Sequence, residues 1–204
     1  MKKTIAITLA LVLALSLAAC SGGGSLPGID TSVKVGSKVS LGDIEWIILA
    51  VEDNKALLLS RESVEKRAYH SENVDMTWEH SDIRAYLNGE FYDNTFSGQE
   101  KKKMLVTQLE NNDNAKHGIN GGNETKDRIF LLSIDEVEKY MGSNAHTNVV
   151  SARIISRDWF LRSPGYKSNY AAIVDIRELY GRIDDRRVDS DIGNIRPALW
   201  INLK

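Results

Sequence analysis

The order in which strand-like and helix-like segments follow one another constrains the fold of this chain most. Runs of β-branched and apolar residues predict three strands near 38–41, 44–51 and 55–60, separated by turn residues. The middle of the chain carries helix signals and a polar loop, and the last third returns to strand-like runs. Because strands and helices do not alternate, we predict an α+β fold with a mostly antiparallel sheet rather than a parallel βαβ sheet.

Three serines mark predicted helix starts. Ser81 precedes a short amphipathic stretch that Gly89 ends. Ser97 and Ser133 are each followed three residues later by glutamate, the pattern of a capping box, and the last of these helices is expected to end at Gly142. The helices are therefore predicted to be short and to flank the sheet.

The N-terminus has the pattern of a secretory signal that ends at a cysteine. Lys2 and Lys3 form a basic start, and an apolar core of about fifteen residues leads to Cys20. A membrane-spanning helix needs about 20 apolar residues, so this core is too short for one. An ordinary secretory signal that happens to end near a cysteine is the alternative.

The residues before Cys20 resemble the lipobox of bacterial lipoprotein signal peptides. The resemblance implies that residues 1–20 are a signal peptide with its lipobox and that Cys20 becomes the lipidated N-terminus of the mature protein. It also implies a lipid anchor in the cell membrane, with the protein on the extracytoplasmic face. The glycine- and serine-rich residues 21–35 are then a flexible tether, and 36–204 are predicted to form one globular domain.

Composition excludes several classes of site. Cys20 is the only cysteine, so the domain can contain no intramolecular disulfide and no cysteine nucleophile. The net charge is −2, with 26 basic and 28 acidic residues interspersed, which gives no basic field for nucleic acid. We therefore expect the membrane, through the lipid on Cys20, and a glycan or envelope protein as partners, and no nucleic acid.

Two segments of the last third carry a family resemblance. The stretches WFLRSPG at 159–165 and IRPALWINL at 195–203, with 81–97 and 127–141 upstream, resemble an uncharacterised family of domains of unknown function. That family occurs in lipoproteins and surface proteins of Gram-positive bacteria.

The same segments are more distantly similar to the formylglycine-generating-enzyme and C-type-lectin-like superfamily. This similarity implies a C-type-lectin-like fold with short flanking helices and long polar loops, in which the first and last strands pair. The strand at 44–51 is then expected near the final strand, and loops around 106–128 and 163–195 form the variable surface. The enzyme branch depends on active-site cysteines, which this chain lacks apart from Cys20.

Four residues of the signature segments are interpreted as structural. Trp159 and Trp200 lie within apolar runs and are expected in the core. Arg162 and Arg196 are expected to be buried and paired, although Arg162 could alternatively hold an anionic ligand. Ser163 lacks the GxSxG setting of a serine nucleophile, and no catalytic residue is predicted.

An aromatic surface is the predicted ligand-binding region. Tyr166, Asn169 and Tyr170 follow the Ser-Pro-Gly turn in a polar loop, and Trp78 is a further candidate. Such rings combine an apolar face with a polar edge, as a binding surface for a glycan or peptide requires.

A calcium site is predicted in the polar loop as one of two interpretations. The loop is rich in hard oxygen ligands of the kind that calcium prefers. The candidate ligands are Asn112, Asp113, Asn120, Asn123 and Asp127. Their spacing does not follow the EF-hand template, and the alternative is that they only form turns. No other cofactor is indicated.

The sequence as a whole predicts a non-enzymatic, membrane-anchored binding module for a glycan, a peptide or an envelope protein. One alternative is a hydrolase of envelope or other polysaccharides that uses a discontinuous carboxylate site. The other is a structural component of the envelope.

Overall fold

The computed structural model describes residues 33–142, 151, 157–177 and 181–204. Cys20 and most of the predicted tether lie outside these residues. The strands are β1 (Lys38–Leu41), β2 (Ile44–Glu52), β3 (Lys55–Ser60), β4 (Glu65–Lys66), β5 (Thr107–Leu109), β6 (Thr125–Asp127), β7 (Trp159–Pro164), β8 (Tyr170–Asp175), β9 (Arg182–Arg187), β10 (Asn194–Ile195) and β11 (Ala198–Asn202). The α-helices are α1 (Asp82–Tyr86), α2 (Tyr92–Thr95), α3 (Gly98–Lys103) and α4 (Ile134–Met141), with a 3₁₀ turn at Trp78–His80 and a π turn at Leu87–Phe91.

The first sheet contains the three strands predicted at the start of the domain. Its order is β1-β2-β3-β11, and all three pairings are antiparallel. The β2–β3 turn places Asp53 and Asn54 at positive φ, and Asp43 in the β1–β2 turn does the same. These are the left-handed conformations that tight hairpin turns require and that Asp and Asn tolerate.

The second sheet carries most of the last third of the chain. Its order is β4-β10-β7-β8-β9, antiparallel except for the short parallel contact between β10 and β7. In β7, Phe160 pairs with Ile173 and Pro164 pairs with Ala171, so four residue steps on β7 face two on β8. This bulge takes Arg162 out of the ladder, and its N–H donates instead to Leu132 O at 2.9 Å.

The α+β class with mostly antiparallel sheets and short helices is confirmed. The predicted capping boxes at Ser97 and Ser133 are present, and Ser81 caps α1 by accepting from the Arg84 N–H. The last strand pairs with β3 rather than with the first strand, so β3 separates β2 from β11. The chain therefore returns to its first sheet at its end, but not to its first strand.

One hydrophobic core joins the two larger sheets. Trp46 of β2 and Trp159 of β7 are fully buried, and Trp200 of β11 is nearly so. Burial of such large side chains is the main stabilising contribution to a domain of this size without disulfides. Among the described helices, none has both the length and the apolar character needed to cross a membrane.

Candidate ligand cleft

Arg162 lies in the interior and connects β7 to helix α4. It forms an ion pair with Glu136 through both guanidinium Nη atoms, and Nη2 lies 3.1 Å from Oε1. The same guanidinium donates to the carbonyls of Leu131 and Glu110 at 3.0 and 3.2 Å. Arg162 therefore connects β7 to α4 and to the segments that carry Leu131 and Glu110.

Ser163 and Glu136 anchor the first turn of α4. Ser163 Oγ accepts from the Ile134 N–H at 3.0 Å, while Glu136 accepts from the Ser133 N–H at 2.9 Å as part of the capping box. Each bond satisfies an N–H that a helix start leaves without an intrahelical partner. The hydroxyl of Ser163 is thus engaged with the backbone of the helix.

Arg196 is fully buried against Trp159, with its guanidinium 4.7 Å from the ring centroid. Its Nε and Nη2 donate to Ser60 O at 3.0 and 2.8 Å, and Nη2 also donates to Arg61 O at 3.1 Å. Burial lowers the pKa of Arg196 to about 9. The arginine joins the end of β3 to the segment before β11 and lies far inside the fold.

A cleft of about 640 Å³ lies beside the second sheet. Strands β7 to β9 and the turn after β7 contribute Ser163, Gly165, Ala172, Ile183 and Asp185. The polar loop contributes residues 112–117, and the start of α4 contributes Ile134 and Asp135. A volume of this size is in the range of small-molecule sites. We refer to this space as the cleft.

Asn114 fixes the polar loop onto the strand side of the cleft. Its Nδ2 donates to Pro164 O at 2.9 Å and to Gly165 O at 3.2 Å. Its backbone carbonyl accepts from the N–H groups of His117 and Gly118, which closes a compact turn. The loop wall is therefore held by the WFLRSPG segment itself.

The cleft carries four carboxylates, of which three are engaged. Asp135 accepts from Asn112 Nδ2 at 2.9 Å, and Asp113 accepts from the Gly121 N–H at 2.9 Å. Asp184 pairs with Arg182 at 2.9 Å and also accepts from the Asp185 N–H. The side-chain oxygens of Asp185 accept no hydrogen bond from a described residue.

The environment of Asp185 favours its protonated form. Burial raises the pKa of this carboxyl, the neighbouring Asp184 raises it further, and His117 and Lys116 act in the opposite direction. The net shift is upward because removal from water penalises the charged form. A half-buried carboxyl with a raised pKa in a cleft is a typical feature of a functional site.

The two tyrosines predicted to bind ligand lie beside Gly165 and Asp185, which line the cleft, but are not themselves among its lining residues. The rings of Tyr166 and Tyr170 meet edge to face with centroids 4.6 Å apart, and the His117 ring lies 6.4 Å from Tyr166. Tyr166 is 38% exposed. A hydrogen bond from Tyr170 and then the neighbouring Lys167 lower the pKa of Tyr166, while burial and the charge of Asp185 oppose this. The structure thus places this aromatic pair next to Asp185.

The prediction that Trp78 belongs to the ligand surface is wrong. Trp78 is fully buried, and its Nε1 donates to Asp127 Oδ2 at 2.9 Å. The 3₁₀ turn that carries it packs against the core, so the ring contributes volume to the interior. Asn169 also lies away from the cleft, where it donates to Asn73 Oδ1 at 2.9 Å.

The five candidate calcium ligands do not converge on one point. Asp127 is buried between Arg84 at 2.8 Å, Trp78 and Thr125, which use both of its carboxylate oxygens. Asn123 donates to Glu79, and Asn120 accepts from the Gly122 N–H within a turn. Asn112 and Asp113 lie in the cleft with the partners given above. Each of the five residues thus has a hydrogen-bond partner within the fold, which is what the alternative of turns and internal bonds predicts.

Sequence reasoning missed Asp185, Asn114 and His117. Asp185 stands in a run of mixed charge, GRIDDRRVD, which is typical of a solvated strand. In the β8–β9 ladder Asp185 lies opposite Ala172, so their side chains are on the same face of the sheet. This pairing depends on how the two strands align and cannot be predicted from the local sequence.

Comparison with known proteins gives one positive result. A protein-family model matches residues 53–203, which run from the β2–β3 turn to the residue that follows β11. No curated protein and no solved structure matches the chain.

Proposed function

The chain belongs to DUF6273, a family described as a domain of unknown function, and we propose from the cleft itself that it is a non-enzymatic binding module. A lipid on Cys20 holds the module at the extracytoplasmic face of the cell membrane. The observation that carries the proposal is the proximity of Asp185, whose side-chain oxygens accept no hydrogen bond from a described residue, to the pair formed by the exposed Tyr166 and the half-buried Tyr170.

Among the three candidate ligand classes, a glycan suits the cleft best. Tyrosine edges and faces pack against the apolar faces of sugar rings, and amide, carboxylate and imidazole groups bind the hydroxyls. The cleft supplies the polar groups, and the tyrosine pair beside it supplies the aromatic ones. A peptide or a segment of an envelope protein is the alternative ligand for the same surface.

The fold and the host proteins of the family form the second part of the proposed function. We propose that the family domain serves Gram-positive lipoproteins and surface proteins and that its fold is C-type-lectin-like. The return of β11 to the sheet that begins with β1 supports the fold relationship, because the two ends of the domain then lie in one sheet. The position of the cleft, between residues of the 106–128 and 163–195 loops, supports the use of these loops for ligand binding.

A binding screen tests the function. The domain lacking residues 1–20 is applied to immobilised glycans and to purified peptidoglycan, and we expect saturable binding to a subset of them. Tyr166→Ala is expected to weaken that binding about fivefold, since an exposed aromatic contact contributes about 1 kcal/mol. Val51→Ala, an exposed apolar truncation on the first sheet, is the matched control and should leave binding unchanged. If none of the glycans binds, the ligand is instead expected to be a peptide or an envelope protein.

A hydrolase is the second candidate, and the raised pKa of Asp185 is the observation that favours it. A carboxyl whose pKa is raised holds its proton to a higher pH than an ordinary carboxyl, which suits a general acid, with a second cleft carboxylate as its partner. Incubation with the bound glycan distinguishes the two functions: an enzyme releases new reducing ends, and a binding module returns the glycan intact.

Cys20→Ser is expected to move the protein from the membrane to the soluble fraction. Each acyl chain contributes about 0.8 kcal/mol per buried methylene, so two chains give stable anchoring and none gives no anchoring. Fractionation of cells followed by immunoblotting measures the distribution. Ser25→Ala, in the same glycine- and serine-rich segment, is the control and should remain in the membrane. Undiminished membrane association of the Cys20 variant would contradict the lipid anchor.

A further inference from the structure

Asp185 faces open space because its neighbours are small. It lies opposite Ala172 in the β8–β9 ladder, so both side chains project on one face. A Cβ added to Gly165 would lie 2.8 Å from the Cβ of Asp185 and 2.7 Å from that of Tyr170. Only glycine at this position leaves room for the Cβ atoms of Asp185 and Tyr170 on either side of the backbone, and of these two residues Asp185 lines the cleft.

Asp185 is also the carboxylate that the cleft leaves available. Asp113, Asp135 and Asp184 each accept a hydrogen bond from within the fold, at distances of 2.9 Å. Asp185 has no such donor among the described residues, although it is partly withdrawn from water. A partly buried acceptor without a partner is costly unless a ligand supplies the donor.

The charged groups around Asp185 determine which donor suits it. Those that line the same cleft are Asp113, Asp135, Arg182, Asp184, Lys116 and His117. With histidine neutral, the four carboxylates exceed the two cations, so a positive group beside Asp185 is favoured. Lys116 opposes a second positive group on the loop side, so a ligand with a single positive charge close to Asp185 is favoured.

We propose that the cleft binds an amino sugar, whose protonated amine pairs with the Asp185 carboxylate while its ring packs against Tyr166. The proposal rests on the proposed glycan-binding function and names the chemistry of its ligand. An ammonium group donates charge-assisted hydrogen bonds, which are roughly twice as strong as neutral ones. A sugar ring carries its amine directly on a rigid frame, which fits a carboxylate and an aromatic pair that share Gly165 as neighbour.

Matched oligosaccharides test the proposal on the full-length protein in detergent. The probes are an oligomer of N-acetylglucosamine, the same oligomer with one free amine, and a lysine-containing peptide. Calorimetry at neutral pH is expected to show about tenfold tighter binding of the free-amine oligomer, the value of one charge-assisted hydrogen bond. The affinity for this probe should fall as acid protonates Asp185, whereas that of the acetylated oligomer should not change.

Asp185→Asn is the key variant. We expect it to abolish the preference for the free amine and to retain binding of the acetylated oligomer. Asp93→Asn, which removes an exposed acid far along the chain, is the control and should keep the preference.

The unfolding midpoint verifies that Asp185→Asn is folded. A carboxyl whose pKa is raised in the folded state destabilises the fold when ionised, so its neutralisation should raise the midpoint by about 1–2 °C at neutral pH. This gain should vanish below the ordinary carboxyl pKa of 3.8, where folded and unfolded chains both retain the proton.

Three outcomes overturn the inference. Equal affinity for the acetylated and free-amine oligomers would show that the protein binds glycans but does not recognise the amine. Equal or tighter binding of the lysine peptide would assign the ammonium site to peptides. Absence of binding to every oligosaccharide would remove the proposed function as well.

Discussion

Arg162→Ala is expected to lower the free energy of unfolding by about 3–5 kcal/mol, because it removes one partner of a buried ion pair. The substitution also deprives the carbonyls of Leu131 and Glu110 of their donor. Glu136 keeps its capping bond but loses its counter-charge, and the first turn of α4 loses its link to β7. Chemical denaturation followed by tryptophan fluorescence measures the loss.

Arg61→Ala provides the matched control for Arg162. Arg61 pairs with Glu45 on the surface, where both side chains are exposed by 45%, and such pairs contribute at most about 1 kcal/mol. A large difference between the two arginine variants would show that burial, rather than loss of charge, is responsible. If Arg162→Ala were as stable as the wild type but unable to bind ligand, the arginine would belong to the binding site and the structural interpretation would be wrong.

Asp127→Ala is expected to destabilise the protein by about 3–5 kcal/mol, because the carboxylate is the common partner of three polar side chains. Arg84, Trp78 Nε1 and Thr125 Oγ1 would all lose a hydrogen bond at a buried position. The melting temperature with and without calcium distinguishes the metal site from the alternative in which the polar loop only forms turns. If Asp127 is internal, the addition of calcium to chelator-treated wild-type protein leaves its melting temperature unchanged.

Asn120→Ala is the control for Asp127 within the same set of candidate ligands. Its side chain accepts one hydrogen bond from the Gly122 N–H in an exposed turn, so we expect a change of about 1 kcal/mol or less. A calcium-dependent rise in the melting temperature that both variants abolish would restore the metal site.

Features that depend on neighbouring residues in the chain could be predicted. The capping boxes at Ser97 and Ser133 involve residues three positions apart, and the strand boundaries of the first sheet follow from turn residues at 42–43 and 53–54. The tyrosine pair was found because it follows the turn at Pro164 and Gly165. In each case the chain itself brings the interacting groups together.

The WFLRSPG segment allows burial to be predicted from the sequence, but not the distant partners of its residues. Its apolar residues indicate burial, and burial of Arg162 requires a partner, but the sequence does not identify Glu136, 26 residues away. The segment also shapes the cleft: its carbonyls hold Asn114, and Gly165 lets Tyr170 and Asp185 approach. The same stretch is therefore a structural element on one side and a wall of the candidate site on the other.

Periodicity, capping and turn chemistry are enough to predict the α+β class, the short capped helices and the aromatic segment that reaches the surface. Tertiary packing is needed to establish that β11 pairs with β3, that Trp78 and Asp127 are internal, and that Asp185 lines a cleft in which no described residue donates to its side chain. Each of these depends on groups far apart in the chain, and their burial and pairing are set by how the two sheets pack rather than by any local pattern.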